Sequence, residues 1–168
     1  MGHFIGLEKA RLVADVFKYD KTRFGPYVEF MAEIMRSSDT LGAMEREAIA
    51  LHVSAINRCH YCVGSHRAAL LAMGVSESDV TDIENGYHPD AKLAALLTFA
   101  ARLTNTPSMV TETDINAARS VGATDQDIED SIGVTVKWSQ KTGQLAKVYP
   151  KPLKGYENGE APELYRSI

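Results

Sequence analysis

Residues Glu47 to His66 read EAIALHVSAINRCHYCVGSH, and this stretch holds both cysteines of a 168-residue chain. Its first half, Glu47 to Ile56, is apolar on nearly every side and is broken only by His52 and Ser54. That is the pattern of a helix buried all round, and in a small protein it predicts packing against other subunits as well as its own chain. Asn57 and Arg58 interrupt the pattern, and a second helical period begins at Cys59. At about 100° per residue, Cys59, Cys62, His66, Leu70 and Met73 fall on one stripe. Two helices joined by a tight turn are therefore expected, with both sulfurs and an imidazole on the inward side of the second.

The same periodicity extends in both directions and predicts helices over Leu7–Tyr19, Phe24–Arg36, Leu41–Ile56, Cys59–Met73, Asp79–Glu84, Ala91–Asn105, Asp114–Val121 and Asp125–Tyr149. Gly25-Pro26, Gly74, Gly86 with Pro89, Pro107 and Gly122 read as the breaks between them. The fold class is all-α, a multi-helical bundle. Its expected organisation is one helical domain over residues 1–149 and an extended tail over 150–168, where Pro150 and Pro152 stop the last helix. Gly74 to Val80 and Gly122 to Ile128 echo one another, each with a Gly stop, a hydroxyl cap and an Asp three residues on; capping chemistry explains most of that likeness.

Eighteen basic and 22 acidic residues leave a net charge of -4, without a Lys/Arg stripe. Nucleic-acid binding is therefore not expected, since neutralising phosphates needs such a patch. No run is long and apolar enough to span a bilayer, and the start lacks a secretory pattern. A cytosolic home is expected, where a disulfide would be transient and catalytic rather than structural.

Cys62 and His66 are spaced i and i+4, so imidazole can take the thiol proton and leave the nucleophilic thiolate. Cys59 opens a helix, where N–H groups and the positive end of the dipole lower a thiol pKa. A carboxylate holding the second imidazole nitrogen would complete the relay. Glu47 fits, because it lies beside the Met44, Ala48, Leu51 and Ala55 stripe while Glu45 lies off it. The plainer readings are a solvated first-turn acid for Glu47 and simple packing, or half a zinc site completed by His52, His60 or His66, for the thiols. His52 reads as a hydrogen-bonded core or interface histidine, Trp138 as a residue that packs, the commoner fate, or lines the site, His88 as a loop residue and His3 as part of a mobile end.

The compound pattern of Glu47, eleven residues, Cys59-x-x-Cys62, three residues and His66, with Leu51, Ser54 and Asn57 between, resembles the core motif of the carboxymuconolactone decarboxylase superfamily, in its alkylhydroperoxidase D-like branch. The resemblance is strong over about 20 residues and general in the flanking helices. It implies an all-helical fold that forms trimers or hexamers, with Glu47 and His66 as proton relay, Cys62 as the thiol that attacks peroxide, and Cys59 as the resolving thiol that meets the reductant. It implies no cofactor, since neither metal, flavin nor haem is required, and an external dithiol as partner, such as a lipoyl domain or a thioredoxin-like protein. Characterised members carry a histidine directly before the second cysteine; this chain has Tyr61 there and His60 one position earlier. Three other activities fit parts of the pattern: a disulfide reductase or thiol carrier, a zinc-holding module, and lactone chemistry of the decarboxylase branch, which lacks the paired cysteines.

Overall fold

The computed structural model describes residues 13–36 and 40–138. These form eight α-helices: α1 (Val13–Tyr19), α2 (Lys21–Arg36), α3 (Ala43–Ile56), α4 (His60–Ala72), α5 (Glu77–Glu84), α6 (Ala91–Asn105), α7 (Glu112–Ser120) and α8 (Asp125–Trp138), with a short 3₁₀ turn at Pro107–Met109. Among the described residues there is no strand. Parts of two expected helices, residues 7–12 and 139–149, and the expected tail lie outside the described residues.

Helix α3 is the axis around which the others pack. It meets α4, α5, α6 and α8, and Ala48, Ile49, Ala50, Leu51 and Val53 are all fully buried. These five side chains are thus covered within one chain, while Ala55 and Ile56 stay half-buried. Leu70 from α4, Ile83 from α5, Leu96 and Leu97 from α6 and Val134 from α8 fill the surrounding core.

Arg46, one residue before Glu47, is buried as completely as these apolar side chains, at 1% exposure. Its Nε donates to the Leu41 carbonyl at 2.8 Å, an Nη donates to the Ile34 carbonyl, and the other pairs with Asp130 of α8 at 2.7 Å. Thr40 donates to the same Asp130 carboxylate. A buried guanidinium needs every one of these partners, and together they fix α3 against the end of α2 and against α8.

The helix ends follow local chemistry. Glu45 reaches back to the Gly42 N–H at 2.7 Å, Ser76 accepts from the Asp79 N–H at 3.1 Å, and Asp90 accepts from the Leu93 N–H at 2.8 Å. Thr124 accepts from the Asp127 N–H at 3.1 Å, so the two echoing segments do share one cap geometry. The break expected at Gly25-Pro26 is not a break. Both residues lie within α2, which begins at Lys21 behind Asp20, whose carboxylate accepts from the Arg23 N–H at 3.0 Å. A proline this close to a helix start removes a single bond, to the carbonyl of Thr22, and the helix runs on.

Candidate redox site

The site is a helical hairpin formed by α3, the turn Asn57 to Cys59, and α4. Helix α3 ends in two reverse bonds: the Arg58 N–H donates to the Ala55 carbonyl at 3.0 Å and the Cys59 N–H to the Ser54 carbonyl at 3.0 Å. This is the termination that usually places glycine in the left-handed region, as Gly74, Gly86 and Gly122 do elsewhere in the chain with φ of 89°, 85° and 95°. Here the left-handed residue is Arg58, at φ 56°, a conformation that costs a residue with a Cβ about 1 kcal/mol or more.

The turn delivers Cys59 to the N-cap of α4, where its Sγ accepts from the Cys62 N–H at 3.4 Å. Cys59 and Cys62 are joined as a disulfide with their Cα atoms 5.3 Å apart. One turn along α4, His66 is 5% exposed, and its Nδ1 lies 2.6 Å from Glu47 Oε2. Glu47 is therefore no solvated first-turn acid: its side chain is 18% exposed and faces α4. The four residues singled out by spacing are thus brought to one hairpin, with the carboxylate-imidazole contact at one level and the sulfur pair at the turn.

The neighbouring polar groups brace this hairpin. Arg67, next to His66, pairs with Glu84 at 2.6 Å and with Glu77, tying α4 to α5. On α3, His52 donates from Nδ1 to the Glu84 backbone carbonyl at 3.0 Å. Burial pushes the His52 pKa down from its ordinary 6.5, and the bond to Glu84 offsets only part of that. His52 is accordingly a hydrogen-bonded core histidine, as its place on the apolar helix indicated. A Cβ on Gly86 would come within 2.7 Å of its ring, so the loop after α5 closes directly over it.

Other sequence-level readings place differently. Glu45 caps α3 and pairs with Lys92 at 3.0 Å, away from His66. His60 and Tyr61 are exposed, Tyr61 at 53%. His88 accepts from the Asp90 N–H at 3.1 Å in the loop before α6. Trp138 ends α8, and His3 lies outside the described residues. Among the described residues no three His, Cys, Asp or Glu side chains gather as a metal-holding group, and no helix is long and apolar enough to cross a membrane. The roles of Arg46, Arg67 and Glu84 were not visible in the sequence, because each depends on a partner brought from a distant segment.

Residues 25–105 match the model of the carboxymuconolactone decarboxylase family. A crystal structure named as an alkylhydroperoxidase AhpD core, an uncharacterized peroxidase-related protein from Ralstonia eutropha JMP134, is similar with a TM-score of 0.67 and 26% identity. That likeness covers 73% of this chain and 66% of that one, so this chain spans just under two thirds of that relative. An uncharacterized peroxidase-related protein from Silicibacter sp. TM1040 is similar with a TM-score of 0.72 and 27% identity, covering 92% of this chain and 84% of that one. Comparison with curated proteins found no match. Over residues 25–105, the segment that holds Glu47, both cysteines and His66, the chain is thus similar to the carboxymuconolactone decarboxylase family, and these two structural neighbours are named as peroxidase-related proteins, one of them as an alkylhydroperoxidase AhpD core.

Proposed function

We propose that this protein is a thiol-dependent peroxidase that reduces organic or hydrogen peroxides, working in the cytosol. The observation that supports the reading best is a cysteine pair already joined at one end of a hairpin whose next turn holds a carboxylate-imidazole contact of 2.6 Å. In the reduced protein, His66 takes the proton of Cys62, with Glu47 stabilising the imidazolium. The Cys62 thiolate attacks the outer peroxide oxygen. The O–O bond breaks, sulfur becomes a sulfenic acid, and the departing alkoxide or hydroxide leaves as alcohol or water with the His66 proton. Cys59 then attacks the Cys62 sulfur, water departs, and the disulfide forms. An external dithiol, of lipoyl or thioredoxin-like chemistry, opens it through a mixed disulfide and supplies the two electrons that the peroxide consumed.

Consumption of cumene hydroperoxide with a dithiol reductant tests the reading. Cys62→Ser should abolish turnover; full activity in that variant would overturn the assignment. The disulfide equally suits a thiol carrier with little peroxidase activity, and turnover of a small disulfide faster than of peroxide would favour that activity instead.

The working form is proposed to be a homo-oligomer. None of the α2 residues is fully buried, Tyr27, Val28 and Phe30 are exposed at 41%, 38% and 55%, and Phe30 and Ile34 line an apolar groove of about 230 Å³ with Ile132, Gly133 and Val136 of α8. A second copy is the occupant that the family resemblance points to.

A further inference from the structure

Ser54 lies in the middle of the motif stretch, and no step above uses it. It is 1% exposed, and among the described residues its hydroxyl has no hydrogen-bond partner. A buried hydroxyl left in that state is costly and is retained in few native positions. Ser131 and Thr135 of α8 share the condition, but neither is tied to the cysteine turn. Ser54 is tied to it, since its own carbonyl accepts the Cys59 N–H at 3.0 Å.

The hairpin register says where the hydroxyl is aimed. Glu47 meets His66 at one level, and Ser54 meets Cys59 at the other. Glu47 and Ser54 are two helical turns apart and only about 20° apart around α3, so both project toward α4. Arg46, which faces α8 through Asp130, is about 80° from Ser54 on the same helix. Cys62 lies between the two levels on α4, one turn before His66 and bonded to Cys59. Ser54 therefore lies on the α4-facing side of α3, at the corner that the turn and the disulfide close.

In the disulfide neither sulfur accepts a hydrogen bond from this hydroxyl. When a dithiol opens the bond, the reduced pair holds a thiolate in this corner, and a thiolate is a strong acceptor. We propose that Ser54 is a positioning residue whose hydroxyl donates to the thiolate of the reduced cysteine pair, lowering the thiol pKa and making the disulfide easier to reduce. The inference rests on the redox reading only in taking the reduced dithiol as a working state.

The test follows alkylation of the reduced, full-length protein by iodoacetamide as a function of pH, with the reduction potential measured against a glutathione buffer. Ser54→Ala should raise the midpoint of alkylation by about one pH unit, which is about tenfold less thiolate below that midpoint. The potential should become more negative by about 30 mV, the equivalent of a tenfold change for a two-electron couple. Ser54→Thr, which keeps a hydroxyl, should stay near the wild type in both. Unchanged midpoint and potential in Ser54→Ala would overturn the proposal, most plainly if the urea midpoints of oxidised and reduced protein fall together, as they would for a hydroxyl with a purely structural partner. Neither readout involves peroxide, so failure of the peroxidase reading would appear separately, as a wild-type protein that cycles its thiols but consumes no peroxide.

Discussion

Glu47 and His66 are the residues whose contact was most legible in the sequence, and the reason is distance along the chain. Nineteen residues separate them, both lie on one hairpin, and helical spacing alone puts each on the inward face. The exchange Glu47→Gln keeps the shape of that contact and removes the charge that stabilises an imidazolium. Peroxide turnover in this variant should fall about a hundredfold, the usual scale of lost acid-base assistance, while a mere packing role would leave it near wild type. His52 makes a different case. Its place on a buried helix could be read from the sequence, but its partner could not, since the Glu84 carbonyl comes from 32 residues away. Because its pKa in the folded state is depressed below 6.5, the unfolded chain binds a proton there first. Stability is then unaffected by this group above about 6.5 and declines as pH falls below it, by at most about 1.4 kcal/mol per pH unit. Urea unfolding of wild type and His52→Asn across that range measures the contribution, and the variant should show the shallower slope.

At the scale of elements, the sequence located the helices well where local signals agree and misplaced them where one signal competes with another. Gly25-Pro26 looked like punctuation, yet Asp20 had already started α2, and a proline in its second turn did not stop it. The turn between α3 and α4 was placed correctly from Asn57 and Arg58 alone. Its conformation was not, because nothing in the sequence indicates that Arg58 takes a backbone geometry that glycine fills at three comparable helix ends. Replacing Arg58 with glycine should therefore raise the unfolding free energy by about 1 kcal/mol, read from denaturant melts of the oxidised protein. Loss of stability in that variant would mean that the Arg58 side chain contributes more than its backbone costs.

For the whole molecule, the sequence pointed to the right class of fold and to a centre built around α3, but it attributed the burial of α3 partly to other subunits. The chain accomplishes most of that burial itself, through α4, α5, α6 and α8. Among the exposed apolar side chains are Tyr27 and Phe30 of α2, which stand on one face beside the groove against α8. If copies of the chain associate there, Phe30→Glu should lower the mass measured by light scattering toward that of the 18.4 kDa monomer, while helical circular dichroism stays unchanged. Wild-type protein that is already monomeric, or an assembly that survives the substitution, would exclude that face. The long-range ties that hold the bundle in register, Arg46 to Asp130 and Arg67 to Glu84, span 84 and 17 residues. Charge pairs of that kind become readable only once packing is known.

The corner where α3 passes into α4 is closed twice, once by sulfur and once by the backbone bonds from Arg58 to Ala55 and from Cys59 to Ser54. A bridge spanning so few residues restricts the unfolded chain little, on the order of 2 kcal/mol, and the amide bonds hold the bend whichever state the sulfurs are in. Far-ultraviolet spectra of the oxidised and reduced forms should superimpose. On the proposed redox reading, electrons would be loaded and unloaded at a joint that the backbone already braces.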